Sequence, residues 1–224
     1  MASISALTLT LFSGKAFAQG AAIMTTDAQL LQVVQNSQAA TGWINVGPAV
    51  YVHTSNASTL GMTFSIECGL FTSTLTSTTS KNGGSSTASA TADAGVQVRI
   101  LVNGVPASPG IITYCNRIQT LTQTLSSLFT GLPTGATTSI SLSTQLDITT
   151  LDANSFNFAL QTGQAQNVIQ AQARLNTGGS SSVSDPTTAS ASYTAKAVVQ
   201  KASMIINQMN LVNAGSTSAV NLNL

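Results

Sequence analysis

Charge is what this chain has least of. Only 6% of its 224 residues are charged, and it carries a single histidine, His53. A hydrolase, a metal centre or a nucleic-acid surface is assembled from converging ionisable groups, and here those groups are thinly spread. Seven Lys and Arg stand against six Asp and Glu, a formal net charge of +1. There is no basic patch to neutralise phosphates, which argues against nucleic acid, and no acidic block to form a solvating tail. The two cysteines, Cys68 and Cys115, do not form a CxxC pair, which argues against zinc. No dense oxygen cluster of the DxDxDG kind offers a calcium site. No segment past the first residues is apolar enough to span a membrane. No cofactor is implied.

What is present is alternation. Between residues 88 and 102 every even position is apolar: Ala88, Ala90, Ala92, Ala94, Val96, Val98, Ile100 and Val102. The odd positions are mostly polar, with Thr87, Ser89, Thr91, Asp93, Gln97 and Arg99. A period of two marks a strand with one buried face. A second such run places Met62, Phe64, Ile66, Cys68 and Leu70 on one side and Thr63, Ser65 and Glu67 on the other. Between the runs lies Lys81-Asn82-Gly83-Gly84, the strongest turn signal in the chain. Residues 62–102 therefore read as one long hairpin. Its tip has small residues where a core needs bulk, which predicts an arm projecting beyond the main core.

Asn103-Gly104 is a second tight-turn dipeptide, and Pro106 and Pro109-Gly110 break the return. Further strands are expected over 50–53, 111–125, 140–148, 156–160, 169–175, 191–199 and 203–212, with loops over 126–138 and 177–188. About nine strands with no helical pattern between them predict an all-β chain. The expected architecture is an antiparallel β-sandwich, immunoglobulin-like or related. A hydrophobic content of 43% is sufficient for a core. The Ser- and Thr-rich surface suits strands and leaves sheet edges with little charge to block association.

The first residues read as a targeting segment. Residues 4–12 form a short apolar stretch, and Ala16-Phe17-Ala18 fits the small-x-small rule. Residues 1–18 are thus expected to be a signal peptide, with Gln19 as the mature start. No Lys or Arg precedes the apolar run, and Lys15 lies beyond it. Residues 19–42 admit two readings. Thr26 and Gln29 form a capping box with Leu30, Leu31 and Val34 on one helical face, or the Leu-Leu-x-Val-Val run is a strand. Residues 43–212 form the sandwich domain, and 213–224 a frayed tail. Two cysteines in an exported chain imply a Cys68–Cys115 disulfide, each cysteine falling on the apolar side of its strand.

Candidate chemistry is sparse. His53 alternates with the apolar Val52, which makes it a solvent-facing strand residue rather than a general base. No nucleophile-elbow pattern frames a serine. Asp147 and Asp152 lie five residues apart, on opposite faces of a continuous strand, whereas glycoside hydrolysis needs two carboxylates across one cleft. Arg99, Arg117 and Arg174 lie in or beside strong strands. Glu67 and Asp93 are expected to pair with Arg99 across neighbouring strands. Trp43, Tyr51 and Tyr193 are the candidates for an exposed aromatic platform that would bind sugar. Asn56-Ala57-Ser58 matches an N-glycosylation acceptor.

Several stretches taken together carry a resemblance. They are Glu67-Cys68-Gly69-Leu70-Phe71-Thr72, Val98-Arg99-Ile100-Leu101-Val102-Asn103-Gly104 and Pro109-Gly110-Ile111-Ile112-Thr113-Tyr114-Cys115-Asn116-Arg117. Gln119-Thr120-Leu121, Ala153-Asn154-Ser155-Phe156-Asn157-Phe158 and Val168-Ile169-Gln170-Ala171-Gln172-Ala173-Arg174 complete the set. In this order they resemble a functionally uncharacterised family of exported bacterial proteins, over residues 60–200. Gln164-Ala165-Gln166-Asn167 stands where that pattern has a glycine- and histidine-containing turn. The resemblance implies an immunoglobulin-like sandwich and export, and it brings no catalytic motif. The sequence thus predicts a secreted or cell-surface, non-enzymatic structural or adhesive protein. Its partners would be other surface proteins, copies of itself or a polysaccharide. A carbohydrate-binding module is the alternative, and a secreted hydrolase the second.

Overall fold

The computed structural model describes residues 21–35, 39–54, 58–81, 84–126 and 139–209. These residues form eleven strands: β1 (Ala21–Gln35), β2 (Ala39–Ala40), β3 (Ile44–Asn45), β4 (Val50–His53), β5 (Ser58–Lys81), β6 (Ser86–Val102), β7 (Val105–Pro106), β8 (Ile112–Leu125), β9 (Ser139–Thr162), β10 (Gln166–Val183) and β11 (Ala189–Met209). One sheet runs β1-β11-β5-β9. In the other, β10 carries β2, β3 and β4 in succession along one side and β6 along the other, and β6 in turn pairs with β7 and β8. Every pairing is antiparallel. The expected all-β antiparallel sandwich is the fold.

The long excursion through residues 62–102 differs from the expected hairpin. Its two arms, β5 and β6, lie in different sheets and do not pair with each other. The chain therefore passes from one layer to the other between Lys81 and Gly84, making an arch. The physical reason is coverage. Two buried rows side by side in one sheet both need a third element above them, whereas two rows facing across a sandwich cover each other. Alternation and a glycine turn look the same in either case. The tip is likewise not a lone arm, because β8, β9, β10 and β11 accompany β5 and β6 towards it. At 24 residues, β5 and β9 are each about 80 Å long.

The interior has two zones. At one end Leu60, Met62, Phe64 and Ile66 of β5, with Met204 and Ile206 of β11 beside them, face Val98, Ile100, Ile169 and Leu175 of the other sheet, all buried. At the other end the inner row of β5 is Thr72, Thr74, Thr76 and Thr78, all fully buried, and β6 offers Ala88, Ala90 and Ala92. Glutamines from β8 reach across this small-residue zone. Thr72 Oγ1 donates to Gln119 Oε1 at 2.7 Å. Gln119 Nε2 donates to Thr74 Oγ1 at 2.9 Å and to the Leu146 carbonyl at 2.7 Å. Thr76 Oγ1 donates to Gln123 Oε1 at 2.9 Å.

Cys68 of β5 and Cys115 of β8 are joined at the junction of the two zones, with a Cα–Cα distance of 6.6 Å. The neighbouring Tyr114 hydroxyl donates to the Phe64 carbonyl at 2.8 Å, and burial raises its pKa above the ordinary value. Asn154 Nδ2 of β9 donates to the Tyr114 carbonyl at 3.0 Å.

The segment left open between helix and strand is the strand β1, paired along β11. The sandwich therefore begins before residue 43. Ala191–Val199 and the following segment are one strand, not two. The buried residues of β11 are odd-numbered through Val199 and even-numbered from Ala202, because a bulge against β5 lies between Val199 and Ala202. A bulge inserts one residue and flips the phase of alternation. Residues 140–148 and 156–160 are likewise joined in β9, whose polar middle reflects its place at the sheet edge. The Gly/Ser stretch expected as a loop prolongs β10 to Val183. Gly179 is required there, because a Cβ would stand 2.6 Å from the Tyr193 ring. The Asn103-Gly104 turn is as expected, with φ of 52° and 82°, closing the β6–β7 hairpin. Residues 1–18, expected to be a signal peptide, Asn56-Ala57 of the glycosylation tripeptide, and the residues after Met209 lie outside the described residues.

Two stability outcomes follow from this interior. The disulfide closes a separation of 47 residues, so Cys68→Ala with Cys115→Ala should lose about 4 kcal/mol by chain entropy, read by urea denaturation. Both thiols labelling without reductant in protein from its native compartment would show that the bond does not form there. Gln119→Ala leaves the fully buried Thr72 and Thr74 hydroxyls without that partner. It should cost about 3 kcal/mol on the same assay.

Candidate functional site

The outer face of the β10–β6 sheet brings together Trp43, Tyr51, Arg99 and Arg174. Even-numbered residues of β10 point outward, since Ile169, Ala171, Ala173 and Leu175 are buried. Tyr51 sits opposite Val168 and Asn45 opposite Gln172. The edge beside β10 is irregular but pinned on both sides of Trp43. The Thr41 amide donates to the Leu175 carbonyl at 2.9 Å, and the Val46 amide to the Ala171 carbonyl at 2.9 Å. Leu175 N–H donates to Thr41 Oγ1 at 3.0 Å. The indole of Trp43 is thereby held against the sheet, half-buried.

Two guanidiniums share that indole. The central carbon of Arg99 lies 4.3 Å from the ring centroid and that of Arg174 lies 5.1 Å from it. Both are oriented by amides of the neighbouring strand. Arg99 Nε donates to Gln172 Oε1 at 2.8 Å. Arg174 Nε donates to Gln97 Oε1 at 3.1 Å, and its Nη2 donates to the same oxygen. Gln172 Nε2 passes the chain on to Asn45 Oδ1 at 2.9 Å. The arrangement is reciprocal because Gln97-x-Arg99 on β6 and Gln172-x-Arg174 on β10 pair antiparallel, each Arg opposite a Gln. The glutamines were not singled out from sequence, although the repeated Gln-x-Arg was a signal for them.

The structure separates the other expected residues. Tyr51 is 77% exposed, on the same outer face as Trp43, while Tyr193 is buried in the core against Gly179. Tyr193 is therefore no part of a surface platform. Its odd position in β11 points inward, along with Ala195 and Ala197. Arg99 pairs with Gln172 instead of an acid. Glu67 belongs to the opposite sheet, and Asp93 stands six residues away along β6, about 20 Å. Burial raises the pKa of Asp93. Arg117 lies on β8 with its Nη1 buried and without a hydrogen-bond partner.

His53 is exposed on β4, opposite Gln166. Asp147 and Asp152 fall on opposite faces of the continuous β9. Ser73 and Gln145 hydrogen bonds lower the Asp147 pKa. Among the described residues, no three of His, Cys, Asp and Glu come together in a way that could hold a metal ion. A surface depression of about 420 Å³, lined by residues including Thr63, Ser108, Asn157 and Met209, has no titratable side chain in its wall. Among the described residues, no helix is long and apolar enough to cross a membrane. His53→Ala should change stability by less than ~0.5 kcal/mol, as at other exposed strand positions. A thermal melt checks this.

No family model matches the chain, and no curated protein matches it. Solved structures of infectious bursal disease virus are similar at a low level. For the Gx strain the identity is 12% and the TM-score 0.17, covering 92% of this chain and 46% of that one. For the Gt strain the identity is 15% and the TM-score 0.15, covering 98% and 52%. The chain thus spans about half the length of those chains, and likeness at this level carries no argument about fold or function.

Proposed function

We propose that this protein is an exported, non-catalytic structural or adhesive module of a surface or extracellular assembly, associating with copies of itself through β9. The observation that carries this reading is the edge strand. β9 is 24 residues long, paired on one side with β5 throughout, and contains no Lys, Arg, Pro or Gly. Ala159 exchanges hydrogen bonds with Ser108 on the far side from β5. The alternation of an extended strand then turns the backbone groups of every second residue back to Ser139 in that outward direction. Among the described residues, nothing else pairs with that edge. Leu142, Leu146 and Phe156 are exposed along one face of it. Sheet proteins that stay monomeric guard such an edge with lysine, proline, a bulge or a covering loop. A second copy laid antiparallel would extend the sheet and cover the apolar row.

Export is supported by the Ala-Phe-Ala site and by the disulfide, which needs an oxidising compartment to persist. A second reading, glycan binding, is favoured by one observation. Trp43 and Tyr51 occupy the same outer sheet face, set by the β10 register about 20 Å apart.

The assembly reading is tested by Thr149→Pro. The Thr149 amide points away from β5, so proline there removes an edge donor while leaving the β5 ladder intact. Sedimentation should show dimers or larger species for the native chain and monomer for the variant, with melting temperatures within a few degrees. A native chain that sediments as monomer at high concentration would rule the reading out. N-terminal sequencing of protein recovered from its host should begin at Gln19, and a chain still starting at Met1 or Ala2 would remove export.

A further inference from the structure

We infer that the outer face of the β10–β6 sheet binds an acidic polysaccharide, with Trp43 as the stacking plane and Arg99 and Arg174 as partners of its carboxylate or sulfate groups. The inference rests on the glycan-binding reading and deepens it by naming the charge of the glycan. Two like charges share one indole, and among the described residues no carboxylate pairs with either. The hydrogen bonds they make are to the neutral amides of Gln172 and Gln97. Those amides engage Arg99 only through Nε, so its terminal nitrogens stay open to an incoming group. A guanidinium whose edge is held in place keeps a fork of donors matched to carboxylate and sulfate. In a chain with so few charges, two cations brought together without an acid create a local field that favours an anion.

The shape selects a polymer. The face is an open sheet surface, and its aromatic groups are about 20 Å apart along β10, with Gln170 and Gln172 between them. The Gln170 N–H groups go to the Gly47 and Ala171 carbonyls, so its oxygen and the second N–H of Gln172 are what the row offers to sugar hydroxyls, and exposed rings stack on sugar faces. Two cations are too few to follow a nucleic-acid backbone, whose affinity grows with each phosphate neutralised.

The test is affinity electrophoresis of the full chain in gels containing polygalacturonate, dextran or a single-stranded oligonucleotide, at low and high salt. Retardation by polygalacturonate is expected, weakening as salt rises. The double variant Arg99→Gln with Arg174→Gln should bind at least tenfold more weakly, and so should Trp43→Ala. Arg99→Lys with Arg174→Lys keeps the charge without the fork and should fall between. A thermal melt of each variant separates lost binding from lost folding, and Tyr51→Ala, remote from the indole, gives a milder second probe of the same face. Equal, salt-insensitive retardation by dextran would overturn the acidic inference while leaving glycan binding standing. No retardation by either polysaccharide would overturn both. Binding of the oligonucleotide as strong as that of polygalacturonate, or full binding by the double Gln variant, would also overturn the inference.

Discussion

The even-numbered row of β5 and the even-numbered row of β6 face each other across the sandwich, and most of the remaining structure accommodates that contact. Because each row is the other's cover, the two arms of the arch must belong to different layers. Each then recruits its own neighbours, β11 and β9 on one side, β10 and β8 on the other. Where both rows carry bulk, as at Phe64 and Ile100, the interior closes by hydrophobic contact. Where they shrink to Thr and Ala, the space is bridged by glutamines from β8 long enough to reach the opposite hydroxyls. The disulfide and the Tyr114 hydroxyl sit where one regime gives way to the other.

The outer surfaces solve a related problem. A chain with so little charge must still present polar groups to water, and it does so with hydroxyls paired across strands. Thr87 meets Thr124 at 3.2 Å, Ser89 meets Thr122 at 2.9 Å and Thr91 meets Thr120 at 3.1 Å, all between β6 and β8. Such pairs stabilise a sheet modestly and keep the two faces wettable. They do nothing for the rim, where backbone groups rather than side chains decide what can attach. The faces and the β9 rim therefore differ in kind, side chains meeting water on one and backbone groups on the other.

Much of this architecture was legible in the sequence because period-two alternation depends on local geometry alone. The apolar rows over 62–70 of β5, 88–102 of β6 and 169–175 of β10 could be read residue by residue, whereas the buried Thr72, Thr74, Thr76 and Thr78 could not, because a threonine row carries no apolar signal. The arch could not, since a glycine turn between two alternating runs does not specify whether they lie side by side or face to face. The phase change in β11 was visible as odd-numbered then even-numbered apolar residues, yet a bulge and a strand break leave the same mark. Tyr193 looked like a surface aromatic because composition says nothing about depth. Its burial depends on Gly179, which lies on a different strand. The Arg99–Trp43–Arg174 group was hidden for a similar reason. It arises only once register sets Gln-x-Arg against Gln-x-Arg and an irregular edge brings the indole over both.

The threonine-lined half of the interior has a thermal consequence. Unfolding raises heat capacity in proportion to the apolar surface exposed, and exposure of polar groups lowers it. A zone whose buried rows are hydroxyls, amides and methyl-sized side chains releases less apolar surface than an equal length of Leu, Ile and Phe. Its stability should therefore curve less with temperature than that of the apolar half. As the chain is cooled, the apolar half loses driving force, while the hydrogen-bonded half keeps most of its own. The two ends of one continuous sandwich are in this sense adapted to different parts of the temperature range.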